Sequence, residues 1–352
     1  FGGIRLMAYS TIPKGSLQMN TKLYTGTGSS NSVTGVGFQP DFTWIKNRDQ
    51  ADEHNIYDAV RGATKRIIPN DNTPEGTQSN GLSAFGSDGF TVVDSNATNI
   101  NNENYAAWNW KANGTGSANT NGSINSTVSA NTTAGFSIVK WTGSGANATV
   151  GHGLGVTPSM LIVKNATGTG NWRIWNQNLS SAQTLELNAT SGALTSAGQF
   201  NSSATFNSTV FSVGGEGDTN ESSSTIVAYC FSEIKGYSKF GSYTGNGNAD
   251  GTFVYTGFKP AFIICKITSA TSNWRMFDNK RLGYNVDNNP LYPNVTNAEG
   301  TEDNIDILSN GFKWRTTDGA LNGSGSSYIY MAFAENPFVA TSGTSAIPVT
   351  AR

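Results

Sequence analysis

Charged residues are scarce in this sequence, and their scarcity excludes one class of partner. Lys, Arg, Asp and Glu together make up 13% of the 352 residues, about half of the ~25% found in ordinary globular domains. The formal net charge is −2, and the basic residues are scattered along the chain. Nucleic-acid binding depends on a concentration of Lys and Arg that neutralises phosphates. We therefore expect no nucleic-acid partner.

Histidine and cysteine are also rare, with two of each. Cys230 and Cys265 lie inside the apolar runs IVAYCF and AFIICK, which predicts two buried thiols. A zinc site or an activated nucleophile needs converging His, Cys or carboxylate groups, and the spacing of these residues provides no such group. The sequence therefore predicts no catalytic residue, no metal ligand and no cofactor.

Long apolar runs are absent as well. No stretch approaches the ~20 residues needed to cross a bilayer, so we expect no membrane insertion. The chain has 41 Gly, and Asn, Ser and Thr are abundant, a composition that favours strands and turns over helices. Hydrophobic residues still amount to 36%, which is enough for packed cores. We expect an all-β protein.

A five-residue phrase, aromatic-Thr-Gly-polar-Gly, occurs three times. It reads YTGTG at 24–28, WTGSG at 141–145 and YTGNG at 243–247. The same features follow each copy in the same order: a Gly three residues before a Pro, a strand with a matched lysine, and a closing aromatic strand. The matched lysines are Lys46, Lys164 and Lys266, and the closing strands are YAAWNW, IVAYCF and YIYMAF. This agreement indicates a tandem triplication, with the phrase as the turn after each first strand.

The closing strands alternate between a bulky face and a mostly small face, the period of a sheet packed on a core. Short strands separated by Gly, Asn, Asp and Pro turns predict antiparallel β-sandwich, jelly-roll-like modules. We expect three tandem modules of about 100 residues each, the typical size of a small domain. The predicted boundaries are an N-terminal arm (1–22), module 1 (23–112), an Asn/Ser/Thr/Gly-rich linker (113–134), module 2 (135–237), module 3 (238–340) and a C-terminal tail (341–352).

Positions that recur in all copies are expected to serve packing. His54 aligns with Trp172 and Trp274, so we expect it inside a core. Ligand-binding residues are sought instead where the copies differ, because loops on a rigid scaffold usually carry function. The loop 280–300 of copy three and its shorter counterpart in copy one share the frame PNxxxxEGT, which copy two lacks. The candidate ligand-binding residues in these loops are Arg61, Arg281, Tyr284, Asn288 and Tyr292.

Paired carboxylates occur in EGDTNE (216–221) and EGTEDNID (299–306). Two flanking carboxylates suffice for glycoside hydrolysis, which keeps a carbohydrate-active enzyme as an alternative. Asp and Asn are also expected in turn-rich loops for conformational reasons, and we favour that interpretation. Calcium stays open, because a Ca²⁺ site needs about six or more oxygen ligands and no compact loop of that type stands out.

Several stretches carry a resemblance to a known family. The segments GVGFQPDFTWIKNR, YAAWNWKANG, SANTTAGFSIVKWTGSG, VGHGLGVTPSMLIVKN and AYCFSEIKGYSKFGSYTGNG resemble tailed-phage virion proteins common in marine and cyanobacterial phages. Those proteins are described as tail-fibre or structural proteins. The resemblance covers nearly the whole chain and implies a non-enzymatic component of the virion surface.

The resemblance also implies partners. A tail fibre or appendage adhesin contacts the host cell surface, and we expect a surface glycan or receptor as its ligand. Virion fibres are commonly homotrimers, so by analogy we expect a homotrimer bound to other virion proteins. Capsid-surface decoration, a purely structural role, is the alternative.

Overall fold

A computed structural model of the protein describes residues 10–201, 206–281, 285, 289–302 and 304–337. Within these residues the chain is almost entirely antiparallel β-structure, which confirms the predicted fold class. In the described part of the chain, helix is limited to one 3₁₀ turn and three single turns: η1 (Gly15–Leu17), α1 (Asn96–Asn99), α2 (Gly217–Asn220) and α3 (Gly319–Asn322). Among the described residues, no helix has the length and apolar character needed to cross a bilayer.

Module 1 consists of a large and a small sheet. The large sheet contains, in spatial order, β1 (Met19–Thr25), β9 (Asn104–Trp110), β3 (Phe42–Asn47), β4 (Asn55–Asp58), β5 (Gly62–Ile67) and β6 (Gly76–Thr77). The small sheet contains β2 (Asn31–Thr34), β8 (Gly89–Val92) and β7 (Leu82–Gly86). The closing strand of the repeat, β9, therefore lies inside the large sheet between the first strand and the lysine strand.

Module 2 repeats this plan and extends it at one edge. Its large sheet contains β10 (Ser117–Asn119), β11 (Ser126–Asn131), β12 (Phe136–Thr142), β19 (Thr225–Phe231), β14 (Met160–Asn165), β15 (Arg173–Asn176), β16 (Gln183–Glu186) and β17 (Leu194–Thr195). Its small sheet contains β13 (Ala148–Gly151) and β18 (Val210–Val213). The first strand, closing strand and lysine strand are again neighbours.

Module 3 has the same arrangement with the fewest strands in its large sheet. Its large sheet contains β20 (Ser238–Thr244), β26 (Ser327–Ala334), β22 (Pro260–Ile267) and β23 (Arg275–Asp278). Its small sheet contains β21 (Phe253–Tyr255), β25 (Gly311–Trp314) and β24 (Ile305–Leu308). The same strand order in three successive segments is the structural counterpart of the repeated phrase.

Two expected boundaries are wrong. The segment 113–134 is not a linker, since β11 pairs with β12 over six residues and β10 pairs with β11. Its small polar residues form strands, with β10 at the edge of the sheet, because neighbouring strands supply the hydrogen-bond partners. The arm 1–22 also ends early, because β1 begins at Met19 and pairs with β9. The first nine residues and the tail 341–352 lie outside the described residues.

The glycines of the repeated phrase have the predicted role in the turn. Gly28, Gly145 and Gly247 have φ of 65°, 68° and 67°, the left-handed region that glycine enters without a steric penalty. The preceding aromatic residues, Tyr24, Trp141 and Tyr243, contact the cores of their own modules.

The large sheets are buried on both faces. Their small face packs on the small sheet of the same module and forms three separate module cores. Their bulky face packs on the other two modules and forms one central core, which contains residues of all three closing strands: Trp108, Trp110, Tyr229, Phe231, Met331 and Phe333. The three modules thus form one closed unit within a single chain.

Three equivalent aromatic rings meet inside the central core. Trp110, Phe231 and Phe333 occupy the same position in the three closing strands, and each contacts the other two. The ring centroids lie 6.3 Å (Trp110–Phe231), 5.6 Å (Trp110–Phe333) and 6.0 Å (Phe231–Phe333) apart. Edge-to-face contacts of this kind add stability beyond the burial of apolar area.

Candidate ligand-binding surface

The polar residues that recur in the repeats lie at the junctions between modules. Three buried ring nitrogens, one per module, donate to main-chain carbonyls of a neighbouring module, and the acceptor residues are themselves equivalent. The contacts are Trp172 Nε1 to Ile68 O (2.8 Å), Trp274 Nε1 to Glu186 O (2.9 Å) and His54 Nε2 to Tyr292 O (3.0 Å). Module 2 thus donates to module 1, module 3 to module 2, and module 1 to module 3, which closes the cycle. The packing role predicted for His54 is confirmed, since the residue is fully buried.

The matched lysines serve the same junctions. Lys46, Lys164 and Lys266 are fully buried, and each Nζ donates to main-chain carbonyls. Lys164 and Lys266 each reach the neighbouring module, at Asn72 O (2.9 Å) and Thr190 O (3.0 Å). Burial lowers the pKa of each lysine to about 8. These ammonium groups hold main chain in place, which is a structural role.

We predict that acid weakens the junction at His54. Its Nδ1 accepts a hydrogen bond from Trp44 Nε1 (2.9 Å), and burial, followed by the charge of Lys46, lowers the pKa of His54 well below 6.5. The unfolded chain therefore takes up this proton first, so the stability is complete above about pH 6.5 and is lost as the pH falls. Below pH 6.5 we expect the loss from this residue to approach roughly 1.4 kcal/mol per pH unit, measured by urea unfolding between pH 7 and 5.5.

The matched control for this prediction is His54→Gln. A glutamine side chain can accept from Trp44 and donate to Tyr292 but does not titrate. His152 is a second buried histidine with a lowered pKa, caused by its burial, so the variant should keep the part of the pH dependence that comes from His152. An unchanged pH dependence in His54→Gln would contradict the prediction.

Two of the expected ligand residues, Arg61 and Arg281, are buried in equivalent ion pairs. Arg61 Nε lies 2.5 Å from Asp58 Oδ2, and Arg281 Nε lies 2.8 Å from Asp278 Oδ2. The exposed fractions of the two arginine side chains are 1% and 2%. The expectation of ligand binding by these arginines is therefore corrected: their charges are satisfied inside the protein, and no ligand can reach them.

The frame PNxxxxEGT supplies a second carboxylate to each arginine. Arg61 Nη1 lies 3.1 Å from Glu75, and Arg281 Nη1 lies 3.0 Å from Glu299. Burial would raise the pKa of Glu299, but hydrogen bonding from Arg48 and the charge of Arg281 outweigh it and lower the pKa to about 2. Glu299 is therefore ionised at neutral pH and joins modules 1 and 3.

The main chain of this frame also binds the neighbouring module. At all three junctions an equivalent N–H donates to an equivalent carbonyl: Glu75 to Ala166 O (2.7 Å), Ala193 to Thr268 O (2.8 Å) and Glu299 to Arg48 O (2.9 Å). The loops that sequence reasoning assigned to a ligand are thus junction loops wherever the structure describes them. Copy two makes the same contact without the frame.

Each ion pair receives a third contact, from the next closing strand. Tyr229 Oη donates to Asp58 Oδ2 (2.8 Å), and Trp108 Nε1 donates to Asp278 Oδ2 (3.0 Å). The junction between modules 2 and 3, the third junction, lacks the aspartate, the arginine and the aromatic donor. The equivalent positions hold the uncharged residues Asn176, Leu179 and Met331. The set is present or absent as a whole.

The remaining expected ligand residues fall in two groups. Tyr292 is 9% exposed, its Oη donates to Glu302 at 3.2 Å, and the guanidinium of Arg275 lies 4.5 Å from its ring centroid. These contacts hold Tyr292 at the junction. Tyr284 and Asn288 lie outside the described residues, and their assignment stays a prediction.

Asp218 and Glu221, of the first carboxylate-rich segment, are also engaged by neighbouring side chains. Asp218 forms an ion pair with Arg173 (2.6 Å), and Glu221 accepts from Asn165 (2.7 Å) and Ser224 (2.8 Å). Among the described residues, no group of three or more His, Cys, Asp or Glu side chains could hold a metal ion. Both cysteines are free, buried thiols, as predicted.

An open cleft of ≈ 460 Å³ lies on module 1. Its polar lining includes Asp52, Glu53, Arg66, Gln78 and Asp94. Arg66 forms an ion pair with Glu53, and Gln78 is hydrogen-bonded to neighbours within module 1. None of the residues that line the cleft is aromatic, so the cleft offers no ring on which a ligand could stack.

Exposed aromatic rings occur instead on the small sheet of module 3. Phe253 and Tyr255 on β21 are 44% and 60% exposed, whereas Val254 between them is buried in the module core. The alternation places both rings on the outer face, beside Lys313 and Asp306 of the paired strands. We call this surface the aromatic face: Phe253, Tyr255, Asp306, Lys313 and Arg315, with Asp250 at its edge.

Sequence reasoning missed the aromatic face although a signal was present. The positions equivalent to Phe253 and Tyr255 are Ser32 and Thr34 in module 1 and Thr149 and Gly151 in module 2, as fixed by the equivalent pairs Val33–Phe90, Val150–Phe211 and Val254–Phe312. The core therefore does not require aromatic residues here. The copies differ here within a strand, whereas a ligand site is usually expected in the loops.

The fold and this surface define a class: an all-β protein of three tandem modules that closes around a shared core and displays one distinct face. The family comparison agrees with the extent of that unit. The chain belongs to the family of the domain of unknown function DUF7483, whose model matches residues 14–337. No curated protein matches the chain.

Proposed function

We propose that the protein is a non-enzymatic structural component of a phage virion, displayed as a tail fibre or appendage adhesin that contacts the host surface. The observation that carries the proposal is the division of roles among its polar groups. The recurring charged residues described above hold the modules together, while the aromatic face lies on the outside. A rigid scaffold that presents one differentiated surface is what an adhesin requires.

The same division argues against the carbohydrate-active enzyme. A glycosidase needs one carboxylic acid and one carboxylate that flank the scissile bond. Asp218 and Glu299, members of the two carboxylate-rich segments, are committed to arginine partners. A display role leaves these carboxylates in their ion pairs, whereas catalysis would require the ion pairs to break.

The position of the chain in intact particles tests this proposal. Antibody labelling at tail tips, together with binding of the purified chain to host cells, would support the adhesin. Labelling over the head at capsid stoichiometry would favour the alternative, capsid-surface decoration. Absence of the chain from purified particles would reject a virion role.

A homotrimer bound to other virion proteins is part of the proposal. Light scattering of the purified chain should then give the mass of three chains. A mass of one chain would contradict the trimer. The closed cycle of three modules within one chain would then be the whole assembly.

A further inference from the structure

The aromatic face is specific to module 3 and is not needed for folding. Serine, threonine and glycine fill the two equivalent positions in modules 1 and 2 without loss of the strand pairing. Aromatic side chains that are 44% and 60% exposed gain only part of the stabilisation that full burial would give. Their presence on a surface that is otherwise polar points to a ligand.

The charges beside the rings are paired with one another. Lys313 Nζ lies 2.8 Å from Asp250, and Arg315 Nη1 lies 3.1 Å from the same carboxylate. Arg315 also forms an ion pair with Asp306. The charges of the two basic and the two acidic side chains cancel, so the face has no net charge that would attract an ionic ligand. They still offer hydrogen-bond donors and acceptors that are held in position.

The size of the face argues against a protein partner. An aromatic side chain buries about 150–250 Å² when fully covered, so the exposed parts of Phe253 and Tyr255 together offer roughly 200 Å². A stable interface buries about 800 Å² on each partner. The apolar part of the face is therefore far smaller than an interface with a second copy of the chain requires, and it suits a ligand of one or two rings.

We infer that the aromatic face binds a neutral saccharide. The apolar side of a sugar ring stacks on Phe253 and Tyr255, while its hydroxyl groups bond to the paired side chains of Asp250 and Lys313. This inference rests on the proposed function and names the class of host-surface ligand and the surface that takes it.

The test replaces the two rings with the residues that module 1 uses at the same positions. Phe253→Ser/Tyr255→Thr and the single variant Tyr255→Thr are compared with Val156→Ser, which removes a 48% exposed side chain elsewhere. Binding is measured on arrayed neutral hexose oligosaccharides, with sialylated and sulfated oligosaccharides beside them. We expect the wild type and Val156→Ser to bind neutral oligosaccharides, and the double variant to lose at least tenfold in affinity with unchanged thermal stability.

Several results would overturn the inference. These are equal binding by the double variant, binding confined to charged oligosaccharides, or no binding of neutral oligosaccharides by the wild type. A concentration-dependent dimer that the double variant abolishes would assign the face to self-association instead.

Host-cell binding separates this inference from the proposed function: if the double variant still binds cells, the saccharide site fails and the adhesin stands. If the wild type does not bind cells, the adhesin itself fails.

Discussion

Replacement of Arg61 by leucine will lower the free energy of unfolding by about 3–5 kcal/mol, the usual cost of removing one partner from a buried ion pair. The substitution leaves the fully buried carboxylate of Asp58 without its counter-charge and removes the donor to the carbonyls of Lys65 and Ile56. Urea unfolding at pH 7 measures the loss as a shift of the midpoint.

The third junction supplies the matched control, because it is built without this ion pair. Asp58→Asn/Arg61→Leu/Tyr229→Met gives the first junction the residues found at Asn176, Leu179 and Met331. Replacing a buried ion pair as a whole by apolar residues is often close to neutral, and residues of one network are not additive. We expect the triple variant to recover to within about 2 kcal/mol of the wild type. A triple variant less stable than Arg61→Leu alone would show that the three positions do not form an exchangeable set.

The repeats and the fold class were predictable because they rest on local patterns. The period-two alternation of the closing strands and the glycines of the repeated turn depend on residues close in sequence. The sequence holds a further pattern that indicates the central core. A strand that is apolar on both faces indicates a sheet covered on both sides, and Val227 and Ala228 on opposite faces of β19 are both fully buried. That burial is the sign of the central core.

The ion pairs were missed for a different reason. An arginine in a polar loop is usually exposed, so Arg61 and Arg281 were assigned to a ligand. The signal against this was the joint change in copy two, where Asp becomes Asn176 and Arg becomes Leu179. A charge that disappears together with its counter-charge indicates a pair inside the protein, because an unpaired buried charge is costly.

The core position of His54 shows how a large and a small side chain exchange places between copies. Copy one has Trp44 on the lysine strand, hydrogen-bonded to His54, whereas copy two has Ile162 and Trp172 at the equivalent positions. The large and the small residue have exchanged positions, which conserves volume in a close-packed core. The strands β10 and β11 gave no comparable signal, because the strand that joins them to the rest of the sheet, β12, lies outside the segment 113–134.

Replacement of Trp110 by alanine will destabilise all three modules together, by about 3–5 kcal/mol. The ring of this one residue contacts rings in every module, namely Phe42, Phe231, Phe262 and Phe333. A cavity here removes packing from the central core that the three large sheets share. Hydrogen exchange should therefore show lower protection in the closing strands of all three modules, and chemical unfolding should remain one transition at a lower midpoint.

The chain offers its own control for this position, because the equivalent residues are Phe231 and Phe333. Trp110→Phe keeps an aromatic ring at the centre and removes an indole N–H that has no hydrogen-bond partner among the described residues. A swap between similar apolar side chains usually costs less than about 1.5 kcal/mol, so this variant should stay close to the wild type. If Trp110→Ala lowered protection in module 1 alone, or split unfolding into separate transitions, the modules would be independent domains that touch. A common loss across the three modules would instead mean that the central core makes one cooperative unit of the triplicated sequence.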